Sequence, residues 1–154
     1  MILPSPDAVI APWLSEKAPQ MLWVFGESLP HVISDYVEHN HTELILLSPG
    51  LPRPRWPGAL PEAALIAEPV SDESSLQRLG TLRNLLIADL LCFVSETVRP
   101  EQLYGLGFKH GTNCQHRLGK LLSFHYTLAT YNNTRVWNNP KFWANPQNWD
   151  KYWW

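Results

Sequence analysis

Residues 21–50, MLWVFGESLPHVISDYVEHNHTELILLSPG, decide the fold of this chain. They open with an apolar run of strand length, residues 21–25, which stops at Gly26. No polar residue interrupts the run to mark a solvent face, so it is typical of a strand covered on both sides. The stretch therefore predicts a central strand of a sheet.

The rest of this stretch predicts a helix and then a second strand. Ser28 can cap the helix, Pro30 is tolerated in its first turn, and apolar residues recur at helical spacing at Leu29, Val32, Ile33, Tyr36 and Val37. Residues 42–47 then predict a second buried strand, ended by Ser48-Pro49-Gly50. Strand, helix and strand within about 30 residues indicate a right-handed parallel crossover. We expect the centre of the sheet to be parallel.

The flanking segments extend this pattern on both sides. Residues 6–18 predict a first helix, with apolar residues at helical spacing despite Pro12. Residues 49–61 carry five prolines, cannot form a helix and are expected to cross the surface as an extended connection, where another helix and strand of such a sheet would lie.

The middle of the chain predicts another strand, helix and strand. Residues 63–67 form a short strand that ends at Glu68-Pro69-Val70, and Ser71 or Asp72 can cap a helix running to about Ala88. The following strand covers residues 90–94. In the alternative, this strand already starts at Leu85. That start is not preferred, because burying the Asp89 carboxylate inside a strand would cost free energy, whereas Asp89 fits the preceding turn.

The end of this region changes character. Pro100 opens a short helix that Gly105 or Gly107 can end, and residues 108–116 and 120–128 predict two strands joined as a hairpin. The expected fold is a three-layer α/β domain, Rossmann-like, with a mostly parallel sheet that ends in an antiparallel hairpin.

The length, composition and net charge of the chain limit the classes of function that it can have. The 154 residues suit one domain, and 45% hydrophobic content excludes general disorder. A net charge of -2 gives no electrostatic reason to bind nucleic acid. The first residues show neither a secretory signal nor a membrane span, and Cys92 and Cys114 are expected to be free buried thiols. We therefore expect a cytoplasmic protein.

The order of elements, with a Gly-Phe that leads into the terminal hairpin, resembles class I S-adenosylmethionine-dependent methyltransferases. The stretch from Tyr131-Asn132 to Trp143-Ala144-Asn145-Pro146 also resembles the tail of a proteobacterial family of uncharacterised small proteins, which has no assigned activity. The methyltransferase resemblance implies a cofactor site where the first three strands end.

The chain departs from the methyltransferase pattern at each of those places. The turn after the first strand, Gly26-Glu27-Ser28, has one glycine instead of a glycine-rich motif, and Ser48 stands where an acidic residue would hold the ribose. Glu68-Pro69-Val70 lacks the aromatic residue of the Asp-Pro-Pro-Tyr turn. The resemblance implies a degenerate S-adenosylmethionine site at Gly26, Glu27, Ser28, Ser48 and Glu68. We expect the cofactor to bind weakly or not at all.

Ser28 has a second interpretation as a nucleophile. Gly26-Glu27-Ser28 follows a strand and precedes a helix, as in the nucleophile elbow of hydrolases, but Pro30 replaces the second glycine. A catalytic histidine would be His110 or His125. Because a helix cap already explains Ser28, the cap is preferred.

Two pairs of residues have the types that bind metals: His39 with His41, and Cys114 with His116. No further ligands are apparent to complete a tetrahedral set, so we predict no metal site.

The tail, residues 132–154, is rich in tryptophan, and Asn-Pro-x-x-Trp occurs twice in it. Each Asn can cap one helical turn that begins with Pro. Trp137, Trp143 and Trp149 could form an aromatic binding surface, or they could cover the sheet and add buried area. We prefer the structural role and expect the tail to pack on the domain formed by residues 1–131.

These observations favour a non-catalytic, methyltransferase-like domain that binds a protein partner or a small ligand. The first alternative is an S-adenosylmethionine-dependent methyltransferase with an atypical cofactor site, and the second is a serine hydrolase that uses Ser28. We expect the chain not to be an enzyme.

Overall fold

The computed structural model describes residues 3–48, 56–116 and 119–128. Within them the chain forms four helices and six strands. In chain order they are α1 (Pro6–Lys17), β1 (Met21–Phe25), α2 (His31–Asn40), β2 (Glu43–Leu47), β3 (Ala63–Val70), α3 (Glu73–Asn84), β4 (Asp89–Ser95), α4 (Pro100–Gly105), β5 (Lys109–His116) and β6 (Gly119–Thr127).

All six strands form one sheet in the order β2-β1-β3-β4-β6-β5. Strands β1 to β4 are parallel, whereas β6 lies antiparallel between β4 and β5. The prediction of a parallel sheet that ends in an antiparallel hairpin is confirmed. The hairpin joins the sheet through its second strand, so β5 forms the outer edge.

Helices cover both faces of the sheet, which gives the expected three layers. Alternate residues of β1 serve the two faces: Trp23 and Phe25 belong to the core beneath α3 and α4, whereas Leu22 and Val24 belong to the core beneath α1 and α2. Strand β1 is therefore covered on both sides, as its uninterrupted apolar sequence predicts.

Strand β2 is not the buried strand that its sequence predicted. It pairs with β1 and, among the described strands, with no other, so it is an edge strand. Its Leu46 is 45% exposed. The apolar residues 44–47 could not reveal this, because position in a sheet depends on which strands the rest of the chain supplies.

The predicted cap of α2 is also wrong. The helix begins at His31, and the residue before it, Pro30, has an extended ψ of 141° and no side-chain cap. Ser28 therefore lies too early to cap it. The first helical bonds run instead to the Pro30 carbonyl oxygen, which accepts from the N–H groups of Ile33 at 3.0 Å and Ser34 at 3.3 Å.

Helix α3 is capped as predicted but ends early. The Asp72 carboxylate accepts hydrogen bonds from the backbone N–H of Ser75 at 2.8 Å and from its hydroxyl at 2.7 Å. The helix stops at Asn84 instead of near Ala88, and Leu86 takes a positive φ of 63° in the turn. This turn lets β4 start beside Ala63 of β3.

Asp89 is the first residue of β4, not a turn residue. Its carboxylate lies 3.3 Å from Lys17 Nζ and accepts a hydrogen bond from the Thr127 hydroxyl at 3.3 Å. These two partners offset the cost that had argued for placing Asp89 in a turn.

Strand β3 runs beyond its predicted end. It continues through Glu68 and Pro69 to Val70, and its pairing with β4 shifts between Ile66 and Val70. Such an irregularity accommodates a proline, which cannot donate to the ladder. It also turns Glu68 away from regular pairing at the end of the strand.

Cys92 and Cys114 are both buried and free, as predicted.

The described part of the proline-rich connection includes Trp56, whose ring packs edge-on against Phe25 with centroids 5.2 Å apart. No helix in the described ranges is both long enough and apolar enough to cross a membrane.

Candidate functional site

A crevice opens at the carboxyl ends of β1 and β3. From β1 the chain passes to β2 on one side and then returns to β3 on the other, so the sheet order reverses direction here. Ligands of open α/β sheets bind outside the carboxyl ends of the strands at such a switch point. The fold alone therefore makes this crevice the first candidate for a site.

The crevice has a volume of about 520 Å³ and a mixed lining. Polar groups come from the start of α1, from the turn after β1, from the end of β3 and from β5, while apolar side chains form the floor. The lining residues are Ser5, Pro6, Asp7, Ile10, Ser28, Pro30, Ala67, Glu68, Pro69, Phe93, His116 and Leu121.

The N-terminal segment forms one wall of the crevice because it is held to the hairpin. The backbone N–H of Gln115 donates to the Pro4 carbonyl oxygen at 2.9 Å, and α1 begins two residues later, at Pro6. This contact brings Ser5 and Asp7 to the crevice. Sequence reasoning missed both residues, because no local pattern indicates that residue 4 pairs with residue 115.

The structure brings the predicted residues Gly26, Glu27, Ser28 and Glu68 together. The backbone N–H of Glu27 donates to the Glu68 carboxylate Oε1 at 3.3 Å. The turn after β1 is thereby tied to the end of β3. Ser48, in contrast, is exposed after β2 and does not line the crevice, although the neighbouring Leu47 carbonyl accepts from the Gly26 N–H at 3.0 Å.

Gly26 is required by the packing of β1 on β3. A Cβ atom at this position would lie 3.1 Å from the Ala67 Cβ and 3.4 Å from the Ser28 carbonyl oxygen. Contacts this short force a neighbour to move. The space beside Gly26 is thus filled by the protein itself, and is not held open for the backbone to approach a ligand as in a glycine-rich nucleotide loop.

These residues do not supply the groups by which a class I methyltransferase holds S-adenosylmethionine. Ser48 has no carboxylate for ribose hydroxyls, and the Glu27 amide and the Glu68 carboxylate already bond each other. The single glycine faces Ala67. The residues present therefore do not fit this cofactor in the family's usual manner.

The crevice carries negative charge from Asp7 and Glu68. In the described ranges neither carboxylate forms an ion pair, whereas the acidic residues that do so, Glu16, Asp89 and Glu96, have lysine partners. Among the described residues the lining includes no lysine or arginine, and the imidazole that they contribute belongs to His116. A cationic group is the ligand chemistry that complements this wall.

The geometry of a nucleophile elbow is not present at Ser28. An elbow holds its serine in a strained turn directly before a helix. In the described part of the chain the non-glycine residues with positive φ are Ala18, His41 and Leu86, and α2 starts only at His31. Neither His110 nor His125 lines the crevice.

Two of the four residues suspected of metal binding, His39 and His41, lie at the end of α2. His39 Nδ1 lies 2.7 Å from the Asp35 carbonyl oxygen, and His41 ends α2 in the left-handed conformation. Burial raises the pKa of the Cys92 and Cys114 thiols, so both stay protonated. Over residues 3–48, 56–116 and 119–128, no group of three or more histidine, cysteine or acidic side chains converges as metal ligands would.

The suggested aromatic surface, Trp137, Trp143 and Trp149, lies outside the described residues. Its role stays a prediction.

The chain belongs to a family of unknown function, DUF6231, whose model matches residues 4–154. No curated protein matches the chain. Both the family and the strand arrangement accord with the expectation of an uncharacterised family with a methyltransferase-like fold.

Three of the solved structures that are similar to the chain are methyltransferases by their descriptions. An rRNA methylase from Escherichia coli gives a TM-score of 0.43 at 12% identity, over 79% of this chain and 62% of that one. A putative methyltransferase from Pseudomonas syringae gives a TM-score of 0.44 at 10% identity, over 79% of this chain and 95% of that one. A protein-(glutamine-N5) methyltransferase (release factor-specific) from Alicyclobacillus acidocaldarius gives 0.39 at 10% identity, over 80% and 94%.

Proposed function

We propose that this chain is a non-catalytic binding domain whose crevice takes a small ligand with a positively charged group and an apolar body. The observation that carries the proposal is the pair of carboxylates, Asp7 and Glu68, on a wall to which the described residues contribute no lysine or arginine. Two carboxylates on one wall attract a cation, and the low-dielectric protein beside them strengthens the attraction.

The size and floor of the crevice support a small organic ligand. Its volume of about 520 Å³ lies within the range of small-molecule pockets. Ile10, Phe93 and Leu121 supply an apolar surface, while the hydroxyls of Ser5 and Ser28 supply polar contacts. An amine with an aromatic or aliphatic body matches this combination.

The closed turn at Gly26 supports the non-catalytic part of the proposal. The Glu27 amide donates to Glu68, and Ala67 fills the space beside Gly26. A ligand that enters the crevice would meet side chains and one carboxylate edge, not the ring of open backbone amides that nucleotide-type cofactors use.

An S-adenosylmethionine-dependent methyltransferase with an atypical cofactor site is the second candidate. Its support is the position of the crevice at the switch point, together with the positive charge of the sulfonium and ammonium groups of that cofactor. In this alternative Asp7 and Glu68 would hold those cationic groups directly.

We further propose a cytoplasmic protein that does not bind nucleic acid. The two free thiols suit a reducing compartment, and the net charge of -2 gives no overall electrostatic attraction to a phosphate backbone.

The test is a titration of the isotopically labelled full chain with 2-naphthylmethylamine, followed by NMR. We expect amide signals of the crevice residues to move. Binding should weaken by about tenfold in Glu68→Gln and in Asp7→Asn, because each removes one charge of a charge-assisted contact. The glutamine side chain in Glu68→Gln still offers an oxygen to the Glu27 amide, so the turn is expected to stay in place.

The matched control is Glu43→Gln, an exposed carboxylate at the opposite end of the parallel strands. It should leave the affinity unchanged. Equal affinities of the wild type, Glu68→Gln and Asp7→Asn for the amine, or equal binding of the neutral 2-naphthamide, would show that the carboxylates do not define the site.

A further inference from the structure

A second cavity, of about 510 Å³, lies between α1 and the antiparallel end of the sheet. Apolar side chains of α1, including Val9 and Trp13, form one side, and Leu91 lies on the sheet side. The polar lining is separate from that of the crevice and includes Glu16, Lys17, Ser123 and His125. Among the described residues, none lines both cavities.

The sheet wall of this cavity is shaped by an irregularity in β5. Pairing of β5 with β6 shifts between His110 and Asn113, and the Thr112 N–H donates to the Ser123 hydroxyl oxygen at 2.7 Å. A Cβ atom at Gly111 would lie only 2.7 Å from that oxygen. Bulges of this kind often adjoin functional sites, because they redirect side chains and interrupt pairing.

Two hydrogen-bonding side chains of the cavity have no partner in the described part of the chain. Trp13 is 7% exposed, and its indole Nε1, which can only donate, is buried without an acceptor. The ring of half-buried His125 makes no hydrogen bond within the same residues. Because Trp13 Nε1 has almost no accessible surface, a ligand in the cavity does not reach it. The His125 ring is only half-buried and can offer a hydrogen bond to acceptor oxygens of such a ligand.

Charge at the cavity also favours a ligand with acceptor oxygens. Burial lowers the pKa of His125, and the positive charges of Lys17 on α1 and Lys109 on β5 lower it further. Glu16 raises this pKa, and His110 makes a smaller contribution that lowers it. Lys17 Nζ lies 3.3 Å from Asp89 and 3.6 Å from Glu16, whose side chain is 74% exposed. Among the groups that act on the pKa of His125, Lys17 and Lys109 have a larger effect than Glu16.

We propose that this cavity is a second ligand site, which takes a small organic carboxylate with an apolar body. The apolar body contacts Val9, Trp13 and Leu91, and the carboxylate accepts hydrogen bonds from the His125 ring and is attracted by Lys17. This site is independent of the proposed function of the crevice, since its residues, its place in the fold and the charge of its ligand all differ.

The experiment is an NMR titration of the labelled full chain with 2-naphthoate, with 2-naphthylmethylamine as the probe of opposite charge. We expect the Trp13 indole N–H signal, assigned with Trp13→Phe, and the His125 ring signals to shift with 2-naphthoate. Binding of an anion beside His125 should raise the pKa of that histidine. The affinity should accordingly rise by about tenfold between about pH 8 and about pH 5.

His125→Gln should weaken 2-naphthoate binding by about tenfold, because it removes the group that gains charge beside the carboxylate. The matched control is His31→Gln at the start of α2, whose exposed side chain does not line the cavity and is not among the groups that act on His125. It should leave the affinity unchanged. The pH dependence in the wild type tests the same claim without relying on any variant to fold.

The inference is overturned if neither the Trp13 nor the His125 signals move at about 10 mM 2-naphthoate, which is beyond the range of weak specific binding. It is also overturned if the pKa of His125 is the same with and without 2-naphthoate. Displacement of the same signals by the amine with equal affinity would contradict the charge assignment. Failure of the crevice proposal would appear separately, in the Asp7 and Glu68 variants.

Discussion

Glu68 at the end of β3 accepts a hydrogen bond from the backbone N–H of Glu27, 3.3 Å away, in the turn after β1. Two neighbouring parallel strands are thereby joined at the point where the sheet changes direction. The bond uses a backbone donor and an acidic side chain that a nucleotide-type cofactor would otherwise engage. The proposed function depends on this arrangement.

Gly26→Ala should destabilise the fold by about 1–3 kcal/mol, the usual cost of overpacking. The added Cβ would sit 3.1 Å from the Ala67 Cβ and 3.4 Å from the Ser28 carbonyl oxygen, and neither is the end of a flexible side chain. Chemical denaturation measures the change. Gly105→Ala, where nothing lies within 4 Å, is the control and should stay within about 0.5 kcal/mol of the wild type. Equal effects of the two substitutions would refute the packing role of Gly26.

Leu86→Asn should stabilise the protein by about 0.5–1 kcal/mol. Leu86 is 66% exposed and has a φ of 63°, a conformation that costs a leucine about 1 kcal/mol and that asparagine tolerates better. Leu60→Asn is a matched control, because Leu60 is 49% exposed and lies outside the positive-φ residues. A stability gain at Leu60 as large as that at Leu86 would argue against relief of backbone strain.

The cap of α3 should make stability depend on pH in acid. The hydrogen bonds from the Ser75 hydroxyl and N–H lower the pKa of Asp72. A carboxyl whose pKa is lower in the folded state contributes stability above its unfolded pKa and loses it as the pH falls through its folded pKa. The Asp72→Asn variant has a neutral cap and lacks this dependence on pH. The Tm of the wild type should therefore fall relative to that of the variant as the pH falls through this range. A difference that does not vary with pH would contradict the role of the charge.

How much the sequence could reveal differs from one element to the next. The apolar run 21–25, the spacing of apolar residues in α2 and the cap at Asp72 are local signals, and they located β1, the body of α2 and the start of α3. The exposure of Leu46 and the position of β6 between β4 and β5 depend on strand order, which no local pattern encodes.

The candidate site shows the same division. Gly26, Glu27 and Ser28 are adjacent in sequence and were found as a turn, and Glu68 was found as the end of a strand. Their contact depends on the register of β1 against β3. Asp7 and His116 reach the crevice only because the Pro4 carbonyl oxygen accepts from the Gln115 N–H. The sequence also predicts Pro30 in the first turn of α2 with Ser28 as the cap, whereas in the structure Pro30 directly precedes the helix.

The tail prediction concerns residues outside the described ranges. We expect deletion after Tyr131 to lower the midpoint of thermal unfolding, because each aromatic side chain that is buried contributes about 2–3 kcal/mol. The measurement compares unfolding and tryptophan emission of the full and shortened chains. An unchanged midpoint, with red-shifted emission from the full chain's tail, would indicate a docking segment instead.

The most direct test of the central claim is calorimetric titration of the full chain with S-adenosylmethionine and S-adenosylhomocysteine, alongside 2-naphthylmethylamine. The account predicts that the amine binds and that neither nucleoside binds at micromolar concentration, because the Glu27 amide is held by Glu68 and Ser48 offers no carboxylate. Micromolar binding of S-adenosylhomocysteine, abolished when Ser28→Trp fills the crevice, would contradict the account and establish the methyltransferase-type cofactor site.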